Sequence, residues 1–377
     1  MAEPLKNHFG ADVPVAIASM ISSVHPKFVG KAFVRDALDG YGPLSLTGRG
    51  WHLAHTLRKH LPQDYPKAVQ ILVESSAQPS GRTASSGMAS FLFMPHCFFV
   101  AEFGLPHFEE SMQAQYVLTQ RFTCEFSIRP FLIHHQVATL KRLRQWTGDP
   151  SEHVRRLVSE GTRPRLPWAM RLPAFQADPQ PVLELLELLK DDPALYVRRS
   201  VANNLNDIGK DHPEALSDVA MRWLKDAAPE RDWIVKHALR WAVKQGDPGA
   251  LSALGFGKAA RVELSAVAIF PKKPRIGGDV TVAFEMCNPL AKPQNVMVDL
   301  AVDYVKANGA TRAKVFKLKA LVLGPGETVA LRKKLSLKEM TTRKHFAGLH
   351  KVTALLNGQA ELLGHFELFE EQNQRNQ

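Results

Sequence analysis

The sequence predicts two folds in one chain: an α-solenoid of stacked helix pairs over residues 1–257, then a β-sandwich over residues 258–370. Two observations carry this reading. Apolar residues recur three and four apart up to about residue 255, and at every second position from about residue 260. A third observation is a segment of the first part that repeats at nearly constant spacing. With 377 residues, 45% hydrophobic and 23% charged, the chain is long enough to bury two cores.

The helical part is punctuated where helices ought to begin. "DYPKAVQILVESSA", "PVLELLELLKDD" and "HPEALSDVAMRWLKDAA" each start on Pro or follow an acid or His. Proline loses nothing in a first turn, and a carboxylate caps the free N–H groups there. "AQPSGRTASSGMAS" reads as a loop by composition. "DPSEHVRRLVSEG", "DPALYVRRSVANNLNDIGKD" and "ERDWIVKHALRWAVKQGD" stack on Val154, Val197 and Val235. Offsets of 43 and 38 residues match two-helix HEAT-type repeats, whose inner helices line a groove.

The second part alternates strand by strand. "RVELSAVAIF", "DVTVAFEMC", "NVMVDLAVDYV", "AKVFKLKALVL", "TVALRKKLSL", "HKVTALLNG" and "AELLGHFELF" are separated by "RIGGD", "KANGA", "GPGE" and "LNGQ". Seven short strands with this punctuation predict an immunoglobulin-like sandwich. Residues 371–377 read as a disordered tail.

The net charge is +11 and points to a polyanionic partner. Lys+Arg exceed Asp+Glu by 8 in residues 258–377 and by 3 in residues 1–257. "FPKKPRIGG", "LRKKLSLK" and "TTRKHF" are the densest basic clusters of the sandwich, read as duplex contacts or as lysine protection of sheet edges. No stretch approaches the roughly 20 apolar residues of a membrane span, and the opening residues lack a basic n-region, so the expectation is a cytoplasmic chain. Cys97, Cys124 and Cys287 are widely spaced, which fits a reducing compartment. His52/His55 and His134/His135 have no companion ligands at metal spacing, so neither metal nor cofactor is expected.

One strip of the repeat has two readings, a helix end whose polar side chains meet solvent or backbone, and a face that needs its carboxylates. In "SVANNLNDIGKDHP", Val201, Leu205 and Ile208 mark a core face, while Asn204, Asp207 and Asp211 form a polar strip along the same helix. An acid near a helix C-terminus opposes the helix dipole. Glu125 in "RFTCEFSIRPFLIHH" and Glu160 in "HVRRLVSEGTRPRLPWAM" are further acids among bases, each with an i, i+4 arginine (Arg129 and Arg156) as its simplest partner. Glu160 lies six residues after Val154 and Asp207 ten after Val197, both late in their helices, so both are expected to face one groove. Carboxylates in a basic groove suit a polyanion that carries a positive charge, such as a duplex with an alkylated base.

"EFSIRPFL", "HVRRLVSEGTRPRLPWA", "SVANNLNDIGKDHP" and "WIVKHALRWAVKQGDP" resemble the AlkC branch of the HEAT-like-repeat DNA glycosylases, relatives of AlkD, over roughly residues 5–255. The immunoglobulin-like domain resembles that of the longer AlkC proteins. The resemblance implies a monofunctional glycosylase for N3-methyladenine and N3-methylcytosine that works without full base flipping, in contrast to the usual extrusion route. It implies Glu125, Glu160 and Asp207 as the catalytic set. It implies Trp168 and Arg156 beside that set, Trp168 next to the lesion; Arg156, Arg163 and Arg165 are expected to hold phosphates, with solvated surface bases as the alternative, and Lys236 of the last repeat is counted among the DNA-binding residues. The partner is then double-stranded DNA in the nucleoid, met by a monomer. The rival expectation is a non-catalytic HEAT-repeat scaffold that binds damaged or bent DNA.

Overall fold

The computed structural model describes residues 5–79, 89–257, 259–339 and 344–369. An all-helical region of HEAT-like repeats is followed by an antiparallel, immunoglobulin-like sandwich, as the two periodicities require. The helices begin with α1 (Asp12–Val24), α2 (Gly30–Leu38), α3 (Leu46–His60), α4 (Tyr65–Ser75), α5 (Met94–Phe103) and α6 (Phe108–Leu118). Next come α7 (Ile128–His134), α8 (Gln136–Trp146), α9 (Glu152–Gly161), α10 (Pro173–Ala177), α11 (Gln180–Leu189) and α12 (Leu195–Ile208). The series closes with α13 (Pro213–Leu224), α14 (Pro229–Ala238), α15 (Arg240–Lys244) and α16 (Pro248–Ala253).

Helix starts follow the expected chemistry. Asp64 accepts from Lys67 N (3.0 Å) with Pro66 in the first turn, and Asp247 accepts from Ala250 N (2.8 Å) ahead of Pro248. Fully buried Phe9, Phe33, Phe99 and Phe131 fill the interior of the helical region. Most of the loop at 77–90 lies outside the described residues, as do the tail at 371–377 and the first three residues of "TTRKHF".

The repeat is locked by its own signature. Arg155 reaches back to the carbonyl of Asp149 (2.7 Å) and across to the Asp192 carboxylate (2.6 and 3.0 Å). Arg198 repeats the first contact on Asp192 O (2.9 Å) and Pro193 O (2.7 Å). The Asp-Pro turn of one repeat is therefore clamped by an arginine of its own helix and by one from the repeat before. This explains why "DP" and "VRR" recur together.

The chain divides into two compact units, Met1–Asp211 with Ala228–Ala238, and His212–Ala227 with Leu239–Gln377. The second unit holds α13, α15 and α16 together with the sandwich. Its strands are β1 (Glu263–Phe270), β2 (Asp279–Cys287), β3 (Gln294–Val305), β4 (Thr311–Leu323), β5 (Thr328–Ser336), β6 (Gly348–Leu356) and β7 (Gln359–Leu368). They form two antiparallel sheets, β1-β2-β5 and β4-β3-β6-β7. Alternation does the work: Val280, Val282, Phe284 and Met286 of β2 point inward against Val296, Val298, Leu300 and Val302 of β3 in one core.

The Asn357-Gly358 turn joins β6 to β7 with both residues at positive φ (48° and 83°), the geometry that suits a tight hairpin. A Cβ on Gly358 would also lie 2.9 Å from Leu251 Cδ1 and 3.0 Å from Gly246 Cα. Gly358→Ala is thus expected to lower the unfolding free energy of this unit by about 1–3 kcal/mol, from backbone strain plus the clash. Denaturant unfolding followed by circular dichroism checks it, and an unchanged midpoint contradicts it.

Candidate active site

Segments far apart in the sequence of the first unit converge on one cavity of about 550 Å³. The segment before α7 supplies Phe122, Thr123, Glu125 and Phe126; α9 supplies His153, Arg156 and Glu160; the loop after it supplies Arg163, Leu166, Pro167 and Trp168. The first turn of α12 adds Tyr196, while Phe91, Met94 and Phe98 form an apolar wall. The cavity is therefore aromatic on one side and charged on the other.

The charged side is a single network. Arg156 meets the Glu125 carboxylate in a close ion pair, donates to Thr123 Oγ1 (2.6 Å) and lies 3.4 Å from Glu160 Oε1. Arg163 bridges the other two acids, donating to Glu160 Oε1 (2.7 Å) and to Asp207 Oδ2 (2.8 Å). Ser200 donates to Glu160 Oε2 (2.6 Å), and Lys210 donates to Asp207 Oδ1 (2.8 Å). Asn204 fastens α12 to α9 through Ser159 O (2.7 Å) and Thr162 Oγ1 (3.1 Å). Residues that read as a polar strip in sequence are thus the contact between two repeats.

Burial opposes the charge of Arg156 and of Arg163, yet the neighbouring carboxylates outweigh it and raise both guanidinium pKa values. Arg129 is different. It is fully buried, and burial together with the Arg163 cation pulls it down to about 10. Its Nη1 donates to Gly161 O (2.9 Å) and its Nε to Met170 O (2.8 Å), so it ties the end of α9 to the loop that carries Trp168. In that loop Trp168 has φ 65°, a left-handed conformation that is costly for a residue with a Cβ, and the residue is 77% exposed. The strained backbone at Trp168 thus holds the indole out at the cavity rim.

The structure places the expected residues as follows. Glu125, Glu160, Arg156, Arg163 and Trp168 line the cavity. Asp207 is buried behind them and reaches the network through Arg163. Arg165 is paired with Asp211 next to this network. Lys236, exposed on α14 and paired with Asp232 (2.6 Å), is not among the cavity-lining residues. The i, i+4 partner expected for Glu125, Arg129, is occupied elsewhere, and Arg156 takes its place. Tyr196, over which Arg156 stacks at 5.1 Å, was missed in the sequence. Its signal was its position beside Val197, the counterpart of His153 beside Val154. Cys97 and Cys124, distant in sequence, are buried thiols 3.5 Å apart. Among the described residues no group of three His, Cys, Asp or Glu side chains is arranged to hold a metal ion, and no helix is long and apolar enough to cross a membrane.

Residues 263–370 match the family model described as the C-terminal Ig-like domain of the uncharacterised protein YhaZ. The chain is 37% identical over 358 residues to YhaZ of Bacillus subtilis (strain 168), covering 95% of this chain and 97% of that one. It is 39% identical to the Pseudomonas fluorescens alkylpurine DNA glycosylase AlkC, solved bound to DNA containing an abasic site analog. That likeness covers 97% of this chain and 100% of the other, with a TM-score of 0.88. The chain belongs to the AlkC family. Two of the four stretches that resemble AlkC proteins in sequence supply cavity-lining residues; "SVANNLNDIGKDHP" joins the charged network through Asp207 without lining the cavity, and "WIVKHALRWAVKQGDP" supplies no lining residue.

Proposed function

We propose that this AlkC-family chain is a monofunctional DNA glycosylase that hydrolyses the N-glycosidic bond of cationic alkylated bases, N3-methyladenine and N3-methylcytosine, without full base flipping. The observation that carries this is the convergence of Glu125, Glu160 and Asp207 on Arg156 and Arg163 beside an aromatic cavity. A base that is already cationic departs as a neutral molecule, so no proton donor is required. What the protein must supply is negative charge for the oxocarbenium sugar and a placed water.

Glu125 and Glu160 border the cavity and face the sugar, and Asp207 reinforces them from behind Arg163. DNA phosphates compete with the carboxylates for the arginines, since a guanidinium binds either oxyanion in the same forked geometry. Binding of the duplex thereby turns the acids toward the sugar. Trp168 presents its face to the cationic base, an interaction worth about 0.5–2 kcal/mol. No lysine lines the cavity among the described residues, so a Schiff base with the abasic sugar has no amine there. Residues 1–257 act as the glycosylase domain, and residues 258–370 bring the exposed bases Lys272, Arg275 and Arg332 to the duplex.

The test is release of free base from methylated duplex DNA, resolved by chromatography. Release of N3-methyladenine well above the spontaneous rate, with strands left intact until alkaline treatment, is the expected result. A non-catalytic scaffold releases nothing beyond the spontaneous rate, and that outcome overturns the proposal.

A further inference from the structure

The two arginines of each Val-Arg-Arg step have different tasks. Arg155 and Arg198, directly after the buried Val154 and Val197, both turn back to the Asp-Pro turn of their own helix (2.7 Å to Asp149 O and 2.9 Å to Asp192 O). The next arginine of the first repeat, Arg156, enters the cavity, pairs with Glu125 and stacks over Tyr196. Its counterpart one repeat later is Arg199. Arg199 is exposed, and among the described residues it has no hydrogen bond, ion pair or ring contact.

Its position on α12 says what that free charge faces. Tyr196, Arg199, Asn203 and Asp207 follow at i, i+3, i+7 and i+11, which places them in one stripe along the helix. Tyr196 lines the cavity at one end of the stripe, and Asp207 holds Arg163 at the other. The side of α12 turned toward α9 is already taken by Ser200 and Asn204, which bond Glu160 and Ser159. Arg199 lies between the two ends of the reactive network, on the flank that α9 leaves open. A polyanion lying along that stripe meets it as an unneutralised cation.

We propose that Arg199 holds a backbone phosphate of the duplex, close to the nucleotide whose sugar faces Glu125 and Glu160; this rests on the glycosylase reading above. Packed helices lie about 8–10 Å apart. A strand rises about 3.4 Å per nucleotide. A group one helix along from Arg156 therefore meets a phosphate two to three nucleotides, roughly, from the lesion. Arg199 is a positioning residue: it sets the register of the duplex over the acids and reads no base.

The experiment is fluorescence anisotropy of the full chain with an undamaged duplex and with a duplex bearing an abasic-site analogue, over a series of potassium chloride concentrations. Arg199→Gln is expected to reduce the slope of log affinity against log salt by about 0.9, the value of one phosphate contact, and to weaken both duplexes several-fold alike. Arg199→Lys keeps the slope. Base release at saturating enzyme falls several-fold as the duplex loses its register over the acids, and the unfolding midpoint stays at the parental value, because the side chain is exposed. An unaltered slope in Arg199→Gln, or a loss confined to the abasic duplex, overturns the assignment while leaving the glycosylase reading intact. A parent chain that binds neither duplex overturns both.

Discussion

Glu125→Gln is expected to release alkylated base about a hundredfold more slowly than the parent chain, or slower still, while binding lesion duplex as tightly. The substitution keeps the shape of the side chain and its contact with Thr123, and removes only the negative charge. Arg156 is not stranded by it, since Glu160 lies 3.4 Å from Nη2. The variant should therefore fold normally and fail at chemistry. Asp207→Asn behaves in the same direction: Arg163 keeps Glu160, and Lys210 is exposed enough to turn to water. Single-turnover release of N3-methyladenine at saturating enzyme measures both. If either variant binds lesion DNA normally and excises at full rate, that acid has no part in stabilising the sugar cation.

Arg163→Met should lower the stability of the helical unit by about 3–5 kcal/mol, the cost of taking one partner out of a buried ion-pair network. Arg163 is 8% exposed and spans Glu160 (6%) and Asp207 (1%), so its loss leaves Glu160 with the more distant Arg156 (3.4 Å) and Asp207 with Lys210 alone, in a poorly solvated space. An exposed pair sets the scale for comparison. Lys236→Met breaks a contact with Asp232 at the surface and should cost about 0.5 kcal/mol or less. Denaturant unfolding followed by tryptophan fluorescence distinguishes the two. Similar losses in both variants would show that the Arg163 network is as well hydrated as a surface ion pair.

Both predictions turn on residues whose importance was readable and whose partners were not. Glu125, Glu160 and Asp207 stood out as acids in basic, helical surroundings, and the motifs around them carried the family resemblance. Their pairing was hidden. Arg129 is one helical turn from Glu125 and was the natural partner by spacing, but the helix turns it inward to two backbone carbonyls. Arg156 and Glu125 are 31 residues apart, and Arg163 and Asp207 are 44 apart. Nothing local links such pairs. Trp168 fits a buried tryptophan or an exposed one equally well on composition, because an indole is both large and amphipathic. The positive φ and the exposure of its side chain appear only once the loop closes over Arg129.

The sequence by itself determined the order of helices before strands, the repeat and its register, the inward face of the strands, the turn at Asn357-Gly358 and the placing of most of the positive charge in the second part. These are properties of a single element or of its immediate neighbours along the chain. Helical and strand periods state which face of an element avoids water, and the turn residues state where it stops. Tertiary structure alone decided which faces meet. It set Arg156 and Arg163 between acids from three segments, brought Cys97 against Cys124, and left Arg199 open while Arg155 and Arg198 were consumed. The physical reason is that burial is a statement about one surface, whereas an ion pair needs two surfaces and the packing of every helix that brings them together.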